Sequence, residues 1–338
     1  MSPRAELPVP GTAALMVRMD MIHVRAVCPP DLTERTMALL SAEPCVLNLF
    51  LQPGSVRNPD GDAIECDVLT GAANEVLRGL RDLGLERRGS IVLDPVDTVF
   101  SERAARAGAD ELGARLRAPV WEQVEARIRA EGRYPPSFYL FLVIAGVIGA
   151  VGIITNSQIL IVAAMVVGPE YGAITSVALG IDRRSRPRIQ QGLTALLVGF
   201  VLAVAATLLF GLLVRGLGLQ PEAFDLGIRP VSNLINTPNF FSAVVAVLAG
   251  IVGIVSLTEA RTSALLGVFI SVTTIPAGAD IGVSSAFGSW HEAWGSLLQL
   301  LLNIVVLIVV GTGTLKCQRA VWRRVSARRH ERAVRPTA

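Results

Sequence analysis

Charge is scarce in this chain, and least frequent where the apolar residues are densest. Charged residues make up 17% of the 338 and apolar residues 51%. Between Ser137 and Leu315 only two carboxylates, Glu170 and Asp280, fall inside the long apolar stretches. Stretches that long are hard to place in a soluble core, which polar turns break into shorter runs. They match the roughly 20 helical residues needed to cross about 30 Å of hydrocarbon. Cysteine is also rare. Cys28, Cys45, Cys66 and Cys317 form no C-x-x-C pair, so neither a disulfide framework nor a zinc site is indicated. His23, His291 and His330 are scattered and suggest no metal-ligand set. The chain has no H-E-x-x-H and no G-x-S-x-G, so the motif-bearing zinc and serine hydrolases are excluded. The expectation is a protein that is not an enzyme and needs no cofactor.

The first 15 residues hold one Arg and three Pro without an apolar core, and read as a disordered tail instead of a signal peptide. Residues 1–136 carry 16 Arg against 20 Asp and Glu, a net of −4, so the basic footprint of a nucleic-acid binder is missing.

Six apolar segments are expected to be membrane helices: 137–155, 158–181, 190–214, 240–257, 263–287 and 293–315. Their orientation follows from arginine, because short Lys/Arg-rich loops stay on the cytoplasmic side. The segment DRRSRPRIQQ (182–191) holds Arg183, Arg184, Arg186 and Arg188, and the tail 316–338 holds eight basic residues against Glu331. Both are therefore expected inside. With six crossings both termini are cytoplasmic, and the 215–239 loop is outside an inner or plasma membrane. The basic tail is read mainly as a topology signal, with the anionic leaflet as a secondary partner.

Four alternating segments precede the membrane region. They are centred on Ile22–Ala26, Leu47–Leu51, Ile64–Val68 and Ile91–Leu93, with helical spacing at Leu32, Thr36, Leu39 and Leu40 and again at Val76, Leu77, Leu80 and Leu83. The order βαββαβ predicts a ferredoxin-like α+β domain over 16–97, with residues 52–62 (QPGSVRNPDGD) as its hairpin turn. Residues 98–136 are predicted as an amphipathic linker helix, with Val120, Trp121, Val124 and Ile128 along the face that packs on the protein.

The membrane region repeats itself. AGVIGAV (145–151) in the first helix matches AGIVGIV (249–255) in the fourth, and G-P-E-Y-G (168–172) in the second matches G-A-D-I-G (278–282) in the fifth. A three-helix unit has an odd number of crossings, so its second copy runs upside down, as in many secondary transporters. An ionisable group in hydrocarbon costs roughly 3 kcal/mol on insertion scales, so the two acids head the list of candidate ion- or substrate-binding residues. Pro169 and Pro276 stand beside them as helix interrupters. Thr273, Thr274, Gln299 and Asn303 are their nearest polar candidates, the last two sharing a helix face four residues apart.

These same residues make the span from Val120 to about Arg319 resemble the uncharacterised hydrophobic membrane proteins grouped as domain of unknown function 389. The resemblance rests on VWEQV (120–124), AAMVVGPEYGAI (163–174), GVFISVTTIPAGADIGV (267–283) and QLLLN (299–303). That family commonly has Gly-Ala-Met before a Pro-rich segment, whereas this chain has Ala163-Ala164-Met165 and then Pro169-Glu170. The resemblance implies a multi-spanning protein with a cytoplasmic N-terminal domain and supplies no substrate. The expected function is transport of a small ion or solute, regulated by the N-terminal domain. Its partners would be the bilayer and further copies of the chain. The alternative is a membrane-anchored sensor or scaffold in which the two acids only lock packing.

Overall fold

The structure, a computed structural model, describes residues 21–96, 101, 120–227, 229–237, 239–259, 267–268 and 273–333. The expected tail 1–15, nearly all of the linker between 98 and 119, most of the first half of the fifth apolar segment and residues 334–338 lie outside the described residues. The chain divides into two compact units, Met1–Gln123 and Val124–Ala338.

The N-terminal unit runs β1 (Met21–Cys28), α1 (Pro30–Ser41), β2 (Val46–Arg57), β3 (Asp60–Leu69), α2 (Thr70–Asp82), α3 (Leu85–Arg88) and β4 (Ser90–Val96). The sheet has strand order β2-β3-β1-β4, and every pairing is antiparallel. This is the βαββαβ order read from the alternation. Ile22, Val24, Ala26 and Cys28 of β1 and Ile64, Cys66 and Val68 of β3 are buried together with Leu32 and Leu40 of α1 and Val76, Leu77 and Leu80 of α2. A period-2 strand faces two period-3.6 helices, so each element contributes one side to a single core. Val120 joins the same cluster.

The hairpin departs from expectation. Residues 52–62 are not a loop: β2 runs on to Arg57 and β3 starts at Asp60, leaving Asn58-Pro59 as the turn. Pro53, Gly54 and Ser55 fall where the register shifts between Gln52 and Val56. A bulge absorbs turn-forming residues inside a strand by leaving them out of the ladder, and composition alone does not separate a bulge from a loop.

The boundary between the units falls within α4 (Trp121–Glu131). The second unit continues with α5 (Pro136–Ile154), α6 (Gln158–Val167), α7 (Glu170–Asp182), α8 (Arg186–Leu217), α9 (Glu222–Asp225), α10 (Pro230–Ile235), α11 (Phe240–Thr258), α12 (Thr274–Ala286) and α13 (Trp290–Ala333). Among the described residues four helices are long and apolar enough to cross a membrane, α5, α8, α11 and the first part of α13, and a fifth if α6 and α7 form one span bent by 49°. Large apolar side chains stay outside on their outer faces, including Leu197, Val201 and Leu209 on α8 and Leu301, Val305 and Val309 on α13. An apolar surface of that extent belongs against lipid, and the protein is a membrane protein.

Several expected boundaries move. The second expected span is two helices, because Pro169 cannot donate to a continuous ladder. The third span is longer than 190–214. It reaches Gly218, whose φ of 63° suits a glycine cap. The sixth does not stop at Leu315. It runs 44 residues to Ala333, about 66 Å at 1.5 Å per residue, so the basic tail continues the last membrane helix.

Candidate functional site

Glu170 opens α7 immediately after the Gly168-Pro169 break. At 1.5 Å per residue, α6 and α7 extend about 15 and 20 Å to either side of this break. Glu170 is 7% exposed. Its Oε1 accepts a 2.6 Å hydrogen bond from the Thr274 hydroxyl at the start of α12. Its Oε2 is buried and has no partner among the described residues. Gly168 lies so close that a Cβ there would run into this carboxylate and into Ile275. An open cleft of about 450 Å³ reaches the break, lined by residues that include Arg133, Phe141, Gly168, Pro169 and Tyr171, but not by Glu170.

Asp280 lies six residues into α12 and is fully buried. Three hydroxyls surround it. Ser232 of α10 donates to Oδ1 at 2.7 Å, Ser284 of α12 to the same oxygen at 3.3 Å, and Ser296 of α13 to Oδ2 at 2.6 Å. Among the described residues no basic side chain bonds to it. Ser232 is held in place from just upstream: Arg229 stacks on Phe224 at 4.1 Å and bonds Ser289 at 2.8 Å and Glu292 at 3.3 Å, tying α10 to the turn between α12 and α13.

Between the two acids runs a row of buried amides and hydroxyls. Asn303 Nδ2 donates to the Thr273 hydroxyl at 3.1 Å, and Gln299 Nε2 donates to Asn303 Oδ1 at 3.2 Å. Gln299 Oε1 has no partner among the described residues. Ser296, Gln299 and Asn303 follow helical spacing along one face of α13, covering about 10 Å. Thr274 and Asp280 are about 9 Å apart along α12 by the same rise. One polar seam therefore runs between α12 and α13 with a carboxylate at each end.

Of the expected site residues, Thr274 does meet a carboxylate. Thr273, Gln299 and Asn303 bond to one another instead. Pro169 makes the break before α7, while Pro276 sits in the first turn of α12, where its missing N–H leaves no bond unmade. The sequence reading missed Ser232, Ser284 and Ser296. Ser284 was available as the i+4 neighbour of Asp280, and Ser296 as the i−3 neighbour of Gln299. Ser232 had no local signal, because its segment reads as an external loop. Among the described residues no group of three or more His, Cys, Asp or Glu side chains is placed to hold a metal ion.

The other buried acids of this unit have basic partners. Glu125 of α4 meets Arg129 at 3.2 Å, Arg319 at 3.0 Å and Arg183, and Asp182 meets Arg319 at 2.8 Å. This cluster joins the far end of α7 to Arg319 of α13, the helices that carry Glu170 and Ser296.

Residues 165–309 match the family model described as Domain of unknown function (DUF389). That region contains every carboxylate, hydroxyl and amide of the seam. An uncharacterized protein of Methanocaldococcus jannaschii is 21% identical over 168 residues, 50% of this chain and 50% of that protein, so the chain spans about half the length of this relative. No solved structure matches.

Proposed function

We propose that this chain, whose residues 165–309 match DUF389, moves a small ion or solute across an inner or plasma membrane. In this reading both termini are cytoplasmic, the N-terminal unit regulates, and no covalent chemistry is performed. The observation that carries the reading is the polar seam: two buried carboxylates with buried hydroxyls and amides of α12 and α13 lying between them in an otherwise apolar helix assembly. Ionisable groups at membrane depth are costly, and they mark ion and substrate paths.

The helix packing supports two inverted halves. Gly146 of α5 lies against Ala203 and Thr207 of α8, and Gly250 of α11 lies against Leu307 and Val310 of α13. Gly149 touches Ala279, beside Asp280, while Gly253 touches Tyr171, beside Glu170. Equivalent glycines of the two repeats thus hold the same helix of their own half and reach the acid-bearing helix of the other. The 13-residue helices α7 and α12 would then be the discontinuous elements at which transporters place their sites.

A scaffold without transport is favoured by one observation, the three hydroxyls that solvate Asp280 without help from any other group. Flux into proteoliposomes, screened first across ions and small metabolites, separates the two readings. In a transporter, Glu170→Gln and Asp280→Asn abolish flux or its pH dependence and leave assembly intact. If no solute moves and both variants unfold, the acids are structural and the transport reading fails.

A further inference from the structure

We infer that Asp280, Ser232, Ser284 and Ser296 form a binding site for a small monovalent alkali cation, with sodium as the reference ion. The inference rests on the transport reading for its purpose but on separate observations for its chemistry.

The site places two carboxylate and three hydroxyl oxygens together, contributed by α10, α12 and α13. Oxygen-only sets favour hard cations. The count of charges narrows the choice. Asp280 is the single anion of the set, and divalent calcium sites draw on more oxygens and more carboxylates.

The contrast within the same unit points the same way. Glu125 and Asp182 each have arginine partners, whereas Asp280, the most deeply buried of the three, has only hydroxyls as hydrogen-bond partners among the described residues. A lone buried carboxylate is costly unless a positive charge joins it. The hydroxyls suit a cation because each can reverse its role. Ser284 and Ser296 sit on helices, where a serine proton can turn to the carbonyl four residues back and leave the oxygen lone pairs to the ion. One turn along α13 from Ser296, Gln299 Oε1 is a buried acceptor without a partner among the described residues, which marks this face of the helix as polar beyond the serines. Ser232 arrives on a six-residue helix that Arg229 holds in place, so the third hydroxyl is fixed beside the carboxylate by contacts outside the long helices.

The test uses the full-length protein in detergent, with radioactive sodium binding by equilibrium dialysis and thermal denaturation in sodium chloride against choline chloride at equal ionic strength. The expected result is saturable sodium binding and a sodium-specific rise in the melting midpoint. Both should be lost in Asp280→Asn, and sodium affinity should be weakened about tenfold in Ser296→Ala, the loss of roughly 1.4 kcal/mol. Ser296→Thr keeps a hydroxyl and should restore binding, which separates lost ligation from misfolding if Asp280→Asn does not assemble. Absence of saturable sodium binding in the parent, or equal affinity in folded Ser296→Ala and Asp280→Asn, overturns the site. Flux distinguishes the two failures: sodium binding without movement of any solute removes the transport reading and leaves the site. Movement without sodium binding removes the site alone.

Discussion

Gly168 shows how tightly one residue can control a buried acid. Its backbone, at φ −67° and ψ 128°, is open to any amino acid, so glycine is not required there by conformation. It is required by space, because a Cβ would meet the Glu170 carboxylate and the Ile275 side chain. Gly168→Ala should therefore cost about 1–3 kcal/mol of stability through overpacking, and it should shift Glu170 away from Thr274. Thermal denaturation in detergent measures the first effect. A variant as stable as the parent would mean that the carboxylate does not occupy this position. Burial acts differently at Cys66, whose thiol is pushed up to about 12 by desolvation in the sheet core, aided by the adjacent Asp67 charge. Its sulfur is a packing group with little nucleophilic character.

Among the elements, the β2–β3 hairpin has an acid-sensitive fastening. Asp62 accepts a 2.5 Å bond from the Thr33 hydroxyl on α1 and a 2.7 Å bond from the Gly54 amide in the bulge. These bonds, Thr33 first, hold its carboxyl below the ordinary value of 3.8. Asp31 is lowered in the same direction, chiefly by its hydrogen bond to Arg88. A carboxyl with a depressed folded-state pKa stabilises the fold above its ordinary pKa, and that stabilisation is lost as pH falls through the lowered value. The fragment 16–97 should accordingly melt at a constant temperature from pH 7 to about 5 and lose stability below about pH 4. Asp62→Asn should flatten that loss. Far-UV circular dichroism across the pH series decides, and a fragment with no cooperative melt would contradict an independent domain. At the same scale, the far end of α7 is joined to Arg319 of α13 through Glu125, Arg183 and Asp182. Movement at the Glu170 end of α7 would meet a largely buried ionic cluster at its other end.

For the whole molecule, orientation is the property most open to direct measurement. Arginine in 182–191 and beyond Leu315 argues that these segments are cytoplasmic and that the 218–239 region is external. Leu226 is 77% exposed and suits labelling, whereas Phe224 beside it is buried. In intact cells and a cysteine-free background, an impermeant reagent should modify Leu226→Cys and spare Arg186→Cys. The reverse pattern would invert the topology and turn the Asp280 end of the seam toward the cytoplasm.

Four of the apolar segments as long helices, the βαββαβ order and the burial of the two acids were legible in the sequence, because each depends on periodicity or on the cost of burial, which are properties of local composition. Thr274 was also legible, two residues before Pro276 on the segment that carries Asp280. The partners of Asp280 were not. Ser232 belongs to a segment with loop composition, and only folding brings α10 beneath the turn held by Arg229 and sets it against α12 and α13. The strand that absorbs Pro53-Gly54 and the helix that runs on to Ala333 were equally hidden, since a bulge and a loop share residue types and a basic stretch can be helix or coil. Hydrophobic pattern determines which faces are buried. Which hydroxyl meets which carboxylate is decided by contacts between residues far apart in the chain, 48 positions for Ser232 and Asp280 and 104 for Thr274 and Glu170, and no local pattern encodes them.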